Sequence, residues 1–428
     1  NDNPWHLHVT WGDGSAAYDH DYVTRSNLGM APHAYDDNGV YTVTETITDK
    51  DGGSDTQTFK VTVANVPPTA ALGNNGPVNE GSPATVSFSG QSDPSGADTS
   101  AGFHYSIACD GLAGSLATTY AGATDGASKP CTFADNGSYT VKGRIFDKDG
   151  GSNTYDTTVV VNNVKPSLSP PTDDTGVEGA SKSFGLGSFA DPGANDSPWH
   201  LHVTWGDGSA AYDHDYVTRG NLGMAPHAYD DNGVYTVTET ITDKDGGSDT
   251  QTFKVVVDNV PPAVSPPNNQ TAAEGASKSF DLGSFADPGA NDHPWLVHVT
   301  WGDGSAPTDF STDATGPLAN QSHTYDDNGS YTVTVKVTDK DGGFDTKSFK
   351  VEVANVAPTA ALGNGGPVNE GSPATISFSG QHDPSGADTA AGFHYFYSCS
   401  NGDLSGASYG AGTASASTTC TYADNGTY

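Results

Sequence analysis

The chain has 428 residues, with 17 Lys and Arg against 52 Asp and Glu and a formal charge of −35. Hydrophobic residues make up 34%, beside 53 Gly and 26 Pro. This starves a single large core but suits several small β-rich domains. The acidic balance argues against nucleic acids and anionic membranes as partners, because phosphate binding needs a basic footprint, and no apolar run approaches the ~20 residues of a membrane helix. Only seven of the acids are Glu and 45 are Asp. Asp favours turns, where it bonds nearby backbone, so the chain is expected to be non-helical, with its charge in loops where it can bind cations. A uniformly acidic, salt-adapted surface is the plainer alternative. With no starting Met and no signal peptide, the segment is expected to be a mature piece or a cut from a longer chain.

In chain order, the first element is NDNPWHLHVTWGDG from Asn1, and its run recurs almost unchanged from Asn195 and in diverged form from Asn291. A second type, PTAALGNNGPVNEGSPATVSFSG, opens at Pro68 and returns at Pro358. Both types close on D-N-G-x-Y-T-V, then D-K-D-G-G, a β run, and a linker such as VANVPP. Such self-similarity predicts five tandem units. Three are complete, 67–165, 166–260 and 261–356. Residues 1–66 lack their first strands, and 357–428 stop before their last two.

Each complete unit is predicted to be an all-β sandwich. Trp199, Leu201, Val203 and Trp205 alternate with His200, His202 and Thr204, and Tyr331, Val333, Val335 and Val337 alternate with polar neighbours. That period places one face inward and leaves one wet. Turn signals recur at sandwich spacing, and D-N-G-x-Y fits a tyrosine corner at Tyr139, Tyr235 and Tyr331. Glu45 and Glu239 break the alternation in the slot that Val335 fills. Either the strand bulges there or the Glu has a partner.

The motif W-G-D-G (Trp11–Gly14, Trp205–Gly208, Trp301–Gly304), with H-x-Y-x-x-x-G-x-Y-x-V as in His227, Tyr229, Gly233, Tyr235 and Val237, resembles the PKD domain. The resemblance implies an immunoglobulin-like sandwich common in extracellular proteins. It covers three units well. The other two lack W-G-D-G and carry Cys109 with Cys131, and Cys399 with Cys420. One pair per unit is read as two intradomain disulfides, which points to a secreted or surface-exposed protein. No spacing suits structural zinc.

The candidate chemistry is a set of acidic motifs repeated in register. The linker Asn is Asn65, Asn163, Asn259 or Asn355. The Glu of E-G is Glu80, Glu178, Glu274 or Glu370. D-P-x-x-x-D supplies Asp93 and Asp98, Asp191 and Asp196, Asp287 and Asp292, and Asp383 and Asp388. D-K-D-G-G supplies Asp147 and Asp149, Asp243 and Asp245, and Asp339 and Asp341. In an immunoglobulin-like topology the last two motifs lie at the pole where the chain enters, beside the preceding linker. Close carboxylates repel by roughly 1–4 kcal/mol per pair at surface-like dielectric. A hard divalent cation relieves this, and flexible Gly-containing oxygen loops favour Ca2+ over Mg2+. The Glu either joins its own unit's site or reaches the next junction. The layout resembles that of cadherins, where calcium sits at domain junctions. The plainer reading is ordinary turns with Asp capping backbone amides.

Weaker signals remain. His6 with His8, and His200 with His202, share a strand face and form a candidate transition-metal pair, though an exposed polar face is the simpler account; the third copy has Leu296 and His298. Asp213-His214-Asp215 has no activated nucleophile near it. Sequons at Asn136, Asn195, Asn269, Asn320, Asn328 and Asn425 leave glycosylation open. The expected function is a calcium-stiffened extracellular rod, the subunit or segment of a surface filament. The alternatives are an adhesin stalk or an accessory, carbohydrate-binding module of a secreted hydrolase. No catalytic residue is expected. The expected partners are other copies, neighbouring repeats of a longer chain, or surface glycans.

Overall fold

A computed structural model describes residues 2–428. Its strands group into successive immunoglobulin-like sandwiches. Between residues 167 and 258, one sheet runs in the order Asp174–Val177, Ser248–Asp258, Gly233–Thr242, Trp199–Thr204, Tyr212–Tyr216. Its first pair is parallel and the rest antiparallel. Short strands Ser167–Ser169, Ser188–Ala190 and Gly220–Asn221, with the pair Lys182–Gly185 and Met224–His227, cover its inner face. The same architecture recurs between residues 263 and 354. Residues 69–162 hold a variant in which Val78–Asn79, Ser152–Asn162, Gly137–Phe146 and His104–Ala108 face Thr69–Asn74, Pro83–Ser92 and Ser128–Thr132. Residues 5–63 form one four-stranded sheet, and three strands within 359–421 form another.

The alternation does what period two requires. Trp199, Leu201, Val203 and Trp205 are buried and their polar neighbours face solvent. The W-G-D-G motif is a local knot: Asp207 accepts from Ser209 N at 3.0 Å and from His227 Nε2 at 2.8 Å, and the His227 ring stacks on Trp205 at 4.5 Å. The tyrosine corners form as expected, with Tyr139, Tyr235 and Tyr331 each donating its hydroxyl at 2.9 Å to the carbonyl four residues back. Disulfides join Cys109 to Cys131 and Cys399 to Cys420.

Two features differ from the sequence expectation. Short helices Gly96–Ala101 and Gly386–Ala391 occupy D-P-S-G-A-D loops, because Ser95 and Ser385 cap them by accepting from Asp98 N and Asp388 N at 3.0 Å. Glu239 neither bulges nor finds a partner. It pairs in regular register with Val203 and Gln251, is fully buried, and neither carboxylate oxygen has a hydrogen bond. Burial pushes its carboxyl up to about 8. The same slot holds Val335 in the next unit and Gly143 in the disulfide-bearing one. At Gly143 an added Cβ would lie 2.7 Å from the Phe88 ring, so the slot belongs to the core.

Candidate cation sites at the inter-unit junctions

The E-G motif resolves first. Glu80 follows strand Val78–Asn79 at the far pole of its unit and accepts from linker Val164 N at 2.6 Å. Glu178 and Glu274 hold Val260 N at 2.5 Å and Val356 N at 2.6 Å in the same way. The Glu therefore reaches the next junction rather than its own unit's entry pole. Its Gly is required by close approach between units. Gly179 and Gly275 have φ of +67° and +69°, and an added Cβ on either would lie 2.3 Å from the carbonyl oxygen of Pro288 or Pro384, the D-P proline of the following unit. Backbone bonds from Asn195 N to Ala134 O and from Asn291 N to Asp230 O, both 3.2 Å, also cross between units.

The Asp pairs divide their labour. Asp243 accepts from Asp245 N at 2.9 Å and Gly247 N at 2.8 Å, while Asn163 Nδ2 donates to its other oxygen at 3.1 Å. Asp49 makes the same turn bonds, so the plainer reading accounts for this first Asp of D-K-D-G-G. Asp339 repeats the turn, with Asn259 Nδ2 at 3.0 Å, and so does Asp147, with Asn65 Nδ2 at 3.0 Å. Asp191 and Asp287 are also committed locally, each accepting from a Trp Nε1 (Trp199, Trp295) at 2.8 Å. Asp93 lacks such a Trp; one oxygen accepts from Ser95 N and the other is free.

Asp196 and Asp292 are different. Both are wholly buried and each keeps Oδ2 without a partner. The same holds for Glu80 Oε2 with Asn163 Oδ1, and for Glu178 Oε2 with Asn259 Oδ1. Two successive junctions thus present one orphan oxygen each from the preceding unit's Glu, the linker Asn and the following unit's Asp. Carboxylate oxygens of Glu80, Asp135 and Asp196 lie within 4.8 Å of one another, as do those of Glu178, Asp231 and Asp292, and of Asp93, Asp98 and Asp147. Burial pushes Asp196 up to about 7, aided by the Glu80 charge, and pushes Glu178 up to about 7, aided by Asp292. Asp98 and Asp292 are raised by burial too. The donors are all hard oxygens, and buried polar atoms left unpaired are costly. The set fits a hard divalent ion such as Ca2+.

Sequence reasoning missed a resident cation. Lys244 Nζ lies 2.7 Å from Asp135, 3.3 Å from Asp196 and 2.7 Å from Asp245. Lys340 reaches Asp231, Asp292 and Asp341 at 2.6, 3.1 and 2.9 Å. Lys148 bridges Asp37, Asp98 and Asp149. The signal was present, because four of only 17 basic residues (Lys50, Lys148, Lys244, Lys340) sit in D-K-D-G-G. The tyrosine-corner acids that complete the far pole, Asp37, Asp135 and Asp231, were missed as well. Even so, one ammonium serves Asp135, Asp196 and Asp245, and Glu80 shares the cluster with the first two.

The remaining expected residues fall at less complete junctions. Asp383 is buried and Asp388 half-buried against Glu274, whose Oε2 is unpartnered, and Gly386 N donates to Asp326 at 2.8 Å. Asn355 and Glu370 are exposed. Asp149, Asp245 and Asp341 hold lysines rather than the orphan oxygens.

The PKD domain family model matches residues 259–353. That segment is a PKD-like domain, and the chain repeats the immunoglobulin-like sandwich in tandem. Among solved structures it is similar to the human Desmocollin-1 ectodomain (14% identity, covering 89% of this chain and 80% of that one, TM-score 0.25). It is also similar to Drosophila N-cadherin (16%, 83% and 93%, 0.24) and to Sidekick-1 immunoglobulin domains (12%, 82% and 74%, 0.31). No curated protein matches the sequence. Two disulfides are present, and among the described residues no helix is long and apolar enough to cross a membrane.

Proposed function

We propose that the array is an extracellular structural rod whose junctions are stiffened by Ca2+, serving as a segment or subunit of a surface fibre. The units are taken as 1–66, 67–165, 166–260, 261–356 and 357–428. The observation that carries this reading is the repeated trio of orphan oxygens, Glu80, Asn163 and Asp196, then Glu178, Asn259 and Asp292, drawn from both sides of each junction. One ion in such a trio ties consecutive units and linker into one coordination sphere. Lysine and backbone bonds already set the junction angle, so the ion stiffens a preformed contact. At a free concentration 100-fold above its Kd, it adds about 2.7 kcal/mol to each junction.

The test is removal of divalent ions. EDTA should lower the melting temperature and broaden the distribution of end-to-end distances in small-angle scattering, with Ca2+ restoring both better than Mg2+. Unchanged melting and dimensions would remove the metal from the account. Near-identical units support a polymeric array over a stalk, and electron microscopy of native material separates them. Discrete rods with a terminal head would favour the stalk.

A further inference from the structure

Outside the junctions, the solvent face of one sheet carries a second set of metal-type ligands. Strand Trp5–Thr10 pairs with Tyr18–Tyr22 so that His6 stands opposite Asp21 and His8 opposite Asp19. Asp19 Oδ1 lies 2.7 Å from His8 Nδ1 and 3.0 Å from His6 Nε2, and Asp21 lies 2.8 Å from His6 Nδ1. The arrangement is rebuilt on strands Trp199–Thr204 and Tyr212–Tyr216. There Asp213 lies 2.7 Å from His202 and 3.3 Å from His200, and Asp215 lies 2.7 Å from His200.

We propose that each His-x-His strand, with the Asp between its two imidazoles, binds one borderline divalent ion of the Zn2+ or Cu2+ class. Imidazole nitrogen suits these metals, whereas Ca2+ takes oxygen. Two donors about 2.1 Å from one tetrahedral zinc lie about 3.4 Å apart, so an ion enters with small side-chain movement. The ligands stand on paired strands rather than loops, which fixes their Cα spacing. Each side chain is about half exposed, which leaves a coordination position for water.

The next unit provides an internal contrast. His298 still meets Asp309 at 2.6 Å, but Leu296 replaces the first His and Ser311 the second Asp. Lys336 stands beside His298, where Thr240 neighbours His202. That unit loses one of the three ligands, together with the Asp that holds it, and gains a repelling charge, so it binds no ion.

The experiment titrates the Ca2+-saturated chain with Co2+ followed by its d–d absorption, and with Zn2+ by calorimetry. Two equivalents are expected. His202→Gln should leave one, and His8→Gln with His202→Gln none, with unchanged melting in the absence of metal. Leu296→His with Ser311→Asp and Lys336→Thr should raise the number to three. Stoichiometry indifferent to these changes, or no tetrahedral Co2+ signal, would overturn the proposal.

Discussion

Glu80 and Asp196 belong to consecutive units, yet their carboxylates share one buried cluster within 4.8 Å, and each keeps one oxygen free of any hydrogen bond. Glu178 and Asp292 repeat the relationship one unit later. In both cases the Glu's other oxygen grips the linker amide. A residue that holds the linker thus also completes an oxygen cage with the neighbouring unit.

Lys244 tests how the cluster survives without a divalent ion. Lys244→Gln leaves Asp135, Asp196 and Asp245 without their ammonium. The lysine is about a third exposed, so solvent screens part of the loss. We expect a cost of about 1–2 kcal/mol in EDTA, read by thermal melting, and a smaller cost in Ca2+. An equal cost in both conditions would separate lysine from cation.

Gly179→Ala places a Cβ on the carbonyl of Pro288 at positive φ. The expected penalty is about 1–2 kcal/mol of backbone strain plus the clash. It should appear as a changed angle between residues 166–260 and 261–356 in small-angle scattering. Gly14→Ala, with open space around it, should leave that angle alone.

Glu239→Val should stabilise its unit, because Val335 fills the same slot without a buried carboxyl. The folded-state value is raised, so between the unfolded carboxyl range and about 8 the folded chain binds the extra proton, and stability falls as pH rises. The gain, about 2–4 kcal/mol, should be larger at pH 8 than at pH 5 by chemical denaturation. A gain independent of pH would mean that Glu239 is ionised throughout.

The W-G-D-G aspartates act with the opposite sign. Burial opposes ionisation of Asp207, but hydrogen bonds from Ser209 and His227 outweigh it and hold its carboxyl below the usual range. Asp303 behaves alike with Ser305 and His323. Their stabilisation is present above the unfolded carboxylate value and is lost as pH falls through the folded one. Asp207→Asn should cost about 1–3 kcal/mol at pH 7 and flatten the acid limb of the melting curve below pH 4.

The fold was legible because its determinants are local. Trp199 to Trp205 alternate along one strand, and Tyr235 closes its corner on Asp231 four residues away. The junction was only half legible. Nothing in E-G tells that Glu80 points away from its own entry loops, since that depends on the parallel pairing of Val78–Asn79 with the last strand. Lys244 was hidden for a related reason, as Asp135 is 109 residues away in sequence. The Ser95-capped helix was carried by S-x-x-D but obscured by a composition that disfavours helices overall.

Anomalous diffraction from crystals grown with Ca2+ or its lanthanide analogue Tb3+ tests the central claim most directly. The account predicts a peak at each complete junction, about 2.3–2.6 Å from Glu80 Oε2, Asn163 Oδ1 and Asp196 Oδ2 and likewise from Glu178, Asn259 and Asp292. Junctions without such peaks, their carboxylates spanned by lysine and water alone, would contradict it.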